Sequence, residues 1–287
     1  MNNQLQRGVG HGSAIRFLAI QADEAVATAM QRHNLDEKGT IIIGEAMIAA
    51  LMMSAYIKGE ERITVQLQCD KPVLSVICDV DAEGNVRARL SPTHVRGDHA
   101  TLTGVMLVIK HSATKELYRG ATEIRGEGIP AALARHLSQS SQVDTVLRIS
   151  VQVAPDGRVS AGGLLVERMP PVADLPSLSP AAFAETYGGL LQADPEALFA
   201  EIARGTLLGE DLMPAEVRPV AWRCKCSQPR VEGMLTALGV TELKSMLAED
   251  DGATITCHFC NLQYTVNGQR LTALIKALIK ALTPSES

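Results

Sequence analysis

The sequence predicts an α+β protein: an N-terminal antiparallel sheet domain with helical cover, a helical linker, and a small C-terminal domain built on four cysteines. Three observations predict this. Between residues 62 and 167, short strand candidates follow one another at hairpin spacing, separated by turns such as Asp81-Ala82-Glu83-Gly84-Asn85 and Pro155-Asp156-Gly157. The helical periods cluster in sequence instead of alternating with the strands, as they would in a parallel βαβ sheet. The last quarter carries Cys224-Lys225-Cys226 and Cys257-His258-Phe259-Cys260, two tight thiol pairs with thirty residues between them.

In chain order, the polar residues 1–12 lack the apolar run of a secretory signal. Ile15, Phe17 and Ala19 alternate and open the first strand, and residues 23–33 have helical composition. Gly39-Thr40 leads into an apolar helix that ends near Lys58-Gly59. Its apolar core, residues 41–57, contains Glu45 and is slightly short for a bilayer span, so it reads as a buried helix and no membrane partner is expected. Strands are expected over 62–68, 73–80, 86–90, 105–110, 116–124, 145–153 and 160–167, with a helix over 129–139. Gly162-Gly163 inside the last strand reads as a bulge or a close approach. With no phosphate-loop glycine pattern and no nucleophile elbow, neither ATP use nor an enzyme is expected. Cys69 and Cys78 fall in consecutive strands and read as small buried hydrophobes. His94, His99 and His111 lack metal spacing and read as surface or loop residues.

Pro170, Pro171, Pro176 and Pro180 mark a boundary. Ser179 before Pro180, and Asp194 before Pro195, are capped helix starts, and Gly205 stops the second helix. Leu198, Ile202 and Phe199 should face a partner surface, with Glu196, Glu201 and Arg204 toward water. So short a helical unit must lie on the first domain. The division is therefore 1–170 for the sheet domain, 171–221 for the linker and 222–287 for the cysteine domain.

Four thiols in two close pairs suggest one tetrahedral zinc site, with Cys224, Cys226, Cys257 and Cys260 as ligands, each pair supplying two neighbouring corners. The second pair belongs at the tip of a hairpin between residues 254–256 and 264–266. Between the pairs a helix over 231–238, capped by Ser227 and stopped by Gly239, precedes one capped by Thr241 and running to Leu247. After Asn267-Gly268, a stripe of Leu271, Leu274, Ile275, Leu278, Ile279 and Leu282 reads as core packing. About sixty residues make a marginal core, so this domain should need its metal to fold. The basic neighbours Arg223, Lys225, Arg230 and His258 should favour thiolate.

Spacing alone leaves an inert structural zinc site open beside a reactive one. Two other classes share parts of this pattern. A nucleic-acid zinc ribbon needs a basic stripe, but residues 222–287 hold seven Lys/Arg against six Asp/Glu, and the whole chain carries a net charge of −5. A thiol–disulfide oxidoreductase needs a βαβ setting for its C-x-x-C, which is lacking here. Six cysteines with four in a metal pattern fit a reducing cytoplasm.

The runs Trp222-Arg223-Cys224-Lys225-Cys226-Ser227-Gln228-Pro229-Arg230-Val231-Glu232, Leu238-Gly239-Val240-Thr241-Glu242-Leu243 and Cys257-His258-Phe259-Cys260-Asn261-Leu262-Gln263-Tyr264 resemble the zinc domain of the redox-regulated heat-shock chaperone family of thirty-three kilodaltons. The rest of the chain carries the resemblance too, in Lys58-Gly59-Glu60-Glu61-Arg62, Gly104-Val105-Met106-Leu107 and Ser160-Ala161-Gly162-Gly163. It departs at Arg135-His136 and Ser140-Ser141-Gln142, where the family often has paired tyrosines and Ser-Glu-Gln, and at Gly97-Asp98-His99, where it has Gly-Asn-Pro.

The resemblance implies an ATP-independent holdase that binds unfolded client proteins under oxidative and heat stress. It implies a zinc-bound, inactive reduced state and an oxidised, active state with disulfides joining Cys224 with Cys226 and Cys257 with Cys260. The residues alone leave three pairings open. A metastable linker, a homodimer when active, and hand-off to an ATP-driven foldase system are implied in the same way, and the client-binding surface stays unassigned.

Overall fold

A computed structural model describes residues 3–141, 143–171 and 177–282. The chain divides into two compact units, Met1–Arg223 and Cys224–Ser287.

The first unit begins with β1 (Gln4–Gly10) and β2 (Ile15–Gln21), then α1 (Asp23–His33) and α2 (Glu37–Met53). Strands β3 (Arg62–Lys71), β4 (Val73–Asp81), β5 (Asn85–Ser91), β6 (Leu102–His111) and β7 (Glu116–Glu127) follow as a meander. Next come α3 (Ile129–Ser141), β8 (Thr145–Val153), β9 (Val159–Arg168), α4 (Pro180–Tyr187), α5 (Pro195–Ala203), β10 (Thr206–Leu207), β11 (Glu210–Pro219) and β12 (Ala221–Trp222). One six-stranded sheet has the order β10-β11-β1-β2-β9-β8, the other β12-β5-β4-β3-β6-β7. Every pairing is antiparallel except β12 on β5.

Helix α2 organises this unit. The Asp36 side chain caps it, accepting from Gly39 N at 2.7 Å, so the helix begins two residues before the expected Gly39. Ile42 to Met52 are almost continuously buried, and α2 touches strands of both sheets. The stretch Glu37–Tyr56 is apolar and long enough to cross a membrane, yet most of it is buried by the rest of the fold, so it is the core helix that the sequence suggests. Within it Glu45 Oε2 has no hydrogen-bond partner, and burial pushes its carboxyl up to about 8. Val65, Leu67, Val76, Val80, Val86, Leu133 and Ile149 complete the cluster around α2.

The second cluster covers the other face of the first sheet. Ile15, Phe17, Val146, Leu164 and Val166 receive Phe183, Tyr187, Leu190, Leu198 and Ile202. The two outer helices start as expected: Ser179 Oγ accepts from Ala182 N at 3.1 Å and Asp194 from Ala197 N at 2.8 Å. Leu198 and Ile202 are buried and Phe199 half-buried, as their spacing suggests. Glu201 is not simply turned to water, because its Oε1 accepts from Gly209 N at 2.8 Å. Pro176 lies outside the described residues.

Two features depart from the sequence reading. Strand β1 lacks alternating apolar residues because its inward positions hold Gln6, Gly8 and Gly10. Glycine is needed at Gly8, where a Cβ would collide with the Met213 carbonyl of β11. The expected helical linker is helical only to Ala203. From Thr206 the chain returns to the sheets, with β11 on β1 and β12 on β5. Its strand character was hidden because β11 is largely exposed and carries charge at Glu210, Asp211, Glu216 and Arg218. Arg218 anchors this return: Nη2 donates to Ser54 O and Oγ at 3.2 and 3.1 Å, and Nη1 to Ala82 O. Gly84, at φ 86°, lies where a Cβ would strike the Pro219 carbonyl. Trp222 ends β12, its ring edge-on to His33 at 6.2 Å.

Other sequence expectations resolve simply. Gly162 and Gly163 are close approaches: a Cβ would lie 2.6 Å from the Phe199 ring at the first and 2.5 Å from Ile48 and Met52 at the second. Cys69 and Cys78 are buried in β3 and β4. His94 is exposed in a loop, whereas His111 is half-buried at the end of β6. The run Arg135-His136 fastens α3 to β7, through His136 with Thr122 Oγ1 at 3.0 Å and Arg135 with Glu123 O at 2.6 Å.

Candidate metal centre

The second unit comprises α6 (Gln228–Ala237), α7 (Val240–Asp250), the hairpin β13 (Gly252–Thr256) and β14 (Gln263–Asn267), and α8 (Gly268–Leu282). Among the described residues its core is six buried side chains: Val231, Leu235, Leu243, Val266, Leu271 and Ile275. Leu274 and Leu278 pack at its margin, but Ile279 is 42% exposed, so the stripe on α8 is narrower than its spacing suggests. The side chain of Leu282 lies outside the described residues. Ser227 precedes α6 without a side-chain cap, and Gly239, not Thr241, is the N-cap of α7. Glu232 and Arg270 join α6 to α8 by two hydrogen bonds of 3.0 and 2.6 Å.

Cys224 and Cys226 lie in extended chain before α6, and Cys257 to Cys260 form the tip of the hairpin, as its flanking residues predict. The tip closes on itself: Asn261 N donates to Cys257 O at 2.8 Å, and Cys257 N to Leu262 O at 2.9 Å. Asn261 takes φ 56°, a left-handed conformation asparagine tolerates.

All four Sγ atoms lie within 4.8 Å of one another. Cys224 and Cys257 are 3.7 Å apart, and Cys226 and Cys260 3.2 Å. A tetrahedron with metal–sulfur bonds of ~2.3 Å has sulfur–sulfur edges of ~3.8 Å, so the four thiols can hold one metal ion with little adjustment.

The electrostatics differ between thiols. Burial raises the Cys257 thiol, but the backbone N–H groups of Cys260 and Phe259, together with the Cys260 and Cys224 thiols, outweigh it and bring it to about 7. Burial pushes the Cys260 thiol well up, and the sulfurs of Cys226, Cys257 and Cys224 add to the shift. The expected help from basic neighbours is not what acts on Cys257: Lys225, Arg230 and His258 are exposed, and backbone donors do the lowering. The sequence reading missed Tyr264, whose hydroxyl donates to Cys226 Sγ at 2.9 Å. Its signal was the hairpin register, which places Tyr264 opposite Ile255, just behind the tip. By contrast, burial pushes the Cys69 thiol up to about 11, with Asp70 adding to it, and burial also holds the Cys78 thiol well above the ordinary range, so neither is primed for oxidation.

Two largely antiparallel sheets around a core helix, followed by a separate unit that gathers four thiols, define a two-unit α+β protein with a candidate tetrathiolate centre. The chain belongs to the Hsp33 family, a chaperone family, whose model (Hsp33 protein) matches residues 3–267. The 33 kDa chaperonin of Symbiobacterium thermophilum is 31% identical over 282 residues, covering 92% of this chain and 94% of that protein. The 33 kDa chaperonin of Bacillus licheniformis is 29% identical over 288 residues, covering 94% and 98%. The crystal structure of the Thermotoga maritima 33 kDa chaperonin shares the fold, with a TM-score of 0.82 at 21% identity, over 98% of this chain and 100% of that one.

Proposed function

We propose that this protein is a redox-regulated, ATP-independent holdase, kept inactive by zinc on Cys224, Cys226, Cys257 and Cys260 and activated when these thiols are oxidised. The observation that carries the reading is the convergence of the four sulfurs in a unit whose core is six buried residues. Bound zinc would offset half of the thiolates' charge and tie the entry segment to the hairpin tip. Structural zinc supplies about 10–16 kcal/mol of apparent binding energy in small domains.

Oxidation removes those ligands. In the pairing expected from family resemblance, Cys224 with Cys226 and Cys257 with Cys260, each disulfide closes a loop of three or four residues. Such loops stabilise by only about 1.5–2 kcal/mol each on the entropy model. Neither ties the entry strand to the hairpin, so the small unit loses its cross-link and melts. Residues 171–221 then act as a metastable segment whose opening exposes the apolar sheet face under α4 and α5 to unfolding clients. Residues 1–170 supply the core and dimerisation surface, and 222–287 the switch. The working setting is the cytoplasm, with a homodimer as the active form and an ATP-driven foldase system receiving the clients.

The test is light scattering from a heat-unfolding client, without ATP, comparing the zinc-loaded reduced chain with the chain after warm peroxide treatment. Suppression by the oxidised form alone is expected. Equal suppression by both forms would make the zinc structural and the chaperone constitutive.

A further inference from the structure

We propose that Tyr264 is a positioning residue that holds the Cys226 sulfur as a metal ligand and sets how readily the centre is oxidised. This rests on the metal-centre reading above.

Cys226 has little local structure to fix it. It lies in extended chain between β12 and α6, thirty-eight residues before the tyrosine that meets it. Tyr264 is fixed from three sides. It pairs with Ile255 across the hairpin, its ring packs at the margin of the Val231–Leu243–Leu271 core, and its hydroxyl reaches Cys226 Sγ at 2.9 Å. Cys226 Sγ is 3.2 Å from Cys260 Sγ, so the same contact sets the sulfur where the hairpin tip meets the entry strand.

A hydrogen bond donated to a thiolate is charge-assisted and binds part of the sulfur electron density. Four thiolates around a divalent ion carry a net charge of −2. An outer donor spreads that charge, steadies the ligand and makes its lone pair less available to an electrophile. With a peroxide as oxidant, the Cys226 thiolate attacks one oxygen, the O–O bond breaks, and sulfenic acid and hydroxide form. A second thiolate of the centre then displaces hydroxide from that sulfur. In total two thiolates, one peroxide and two protons give one disulfide and two waters. The Tyr264 hydroxyl engages the lone pair needed in the first step, so losing it should weaken the centre and speed its oxidation together.

The test uses the full reduced chain with cobalt(II) as probe, read by its thiolate-to-metal absorption, in wild type, Tyr264→Phe and a Tyr118→Phe control at an exposed tyrosine. Chelator competition should show roughly tenfold weaker cobalt binding in Tyr264→Phe, the lower end for loss of an outer-shell partner. Peroxide should remove its cobalt–thiolate absorption faster by a similar factor, with Tyr118→Phe unchanged. Placing 3-fluorotyrosine, a stronger donor, at position 264 should slow peroxide loss below wild type, a sign that a packing defect would not produce. Affinity and peroxide rates within twofold of wild type in both Tyr264 variants would overturn the proposal. A wild-type chain that binds no cobalt through its thiolates would overturn the metal-centre reading as well.

Discussion

Ile202→Ala should release the outer helices while leaving the interior of the first unit intact. Ile202 is 1% exposed and belongs, with Leu198, Phe183 and Tyr187, to the cluster on Phe17, Leu164 and Val166. Removing its branched end leaves a cavity under α5, and such truncations cost about 2–5 kcal/mol. At 1.4 kcal/mol per tenfold, the opening equilibrium of the cover should rise roughly thirty-fold to several thousand-fold. The cost should be local, because the cluster around α2 shares no member with this one. Native-state hydrogen exchange on the reduced chain is the assay. Amides of α4 and α5 should exchange at least thirty-fold faster, while those of β3 and β4 keep their wild-type rates. Equal acceleration everywhere would refute the reasoning, since cover and interior would then open as one unit, and so would unchanged rates in α5. If the cover is the segment that opens on activation, the reduced variant should also suppress client aggregation in the scattering assay.

Cys257→Ser should weaken zinc retention against a chelator and loosen the second unit without any oxidant; a variant that keeps full zinc and native amide dispersion would contradict the ligand assignment. Glu45 gives a pH dependence with a definite sign. Its folded carboxyl holds a proton up to about 8, whereas in the unfolded chain it ionises near 4.5, so its contribution is complete below about 4.5 and is lost as pH rises toward 8. The wild-type urea midpoint for the first unit should therefore fall between pH 5 and 8, and Glu45→Gln should flatten that trend. Gly84→Ala forces a side chain into a left-handed position against the Pro219 carbonyl. At about 1–3 kcal/mol, calorimetry should show the first unit's Tm lowered by several degrees.

Much of the sheet architecture was legible because its strands bury one face: β3, β4 and β5 alternate cleanly, and their bounds agree to within a few residues. Helix α2 was legible as continuous apolar sequence. The metal centre was legible because thiol pairs carry their chemistry in their spacing. What escaped did so for physical reasons. In β1, Gly8 stands where an apolar side chain would signal a strand, since the backbone of β11 comes too close for a Cβ. In β11, the strand is held by backbone pairing to β1 and by Arg218, not by an apolar face. Tyr264 read as an ordinary strand residue because nothing local distinguishes a tyrosine that packs from one whose hydroxyl meets a sulfur thirty-eight positions away.

The chain has one tryptophan, and its place gives the protein a built-in optical probe. Trp222 is half-buried on the short β12, edge-on to His33, and packs at the margin of the cluster around α2. Its emission therefore reports peeling of the last strand of the first unit from β5 and from the margin of the α2 cluster. A fluorescence transition that precedes loss of far-UV signal would time the release of that strand; coincident transitions would mean that it leaves only when the fold does.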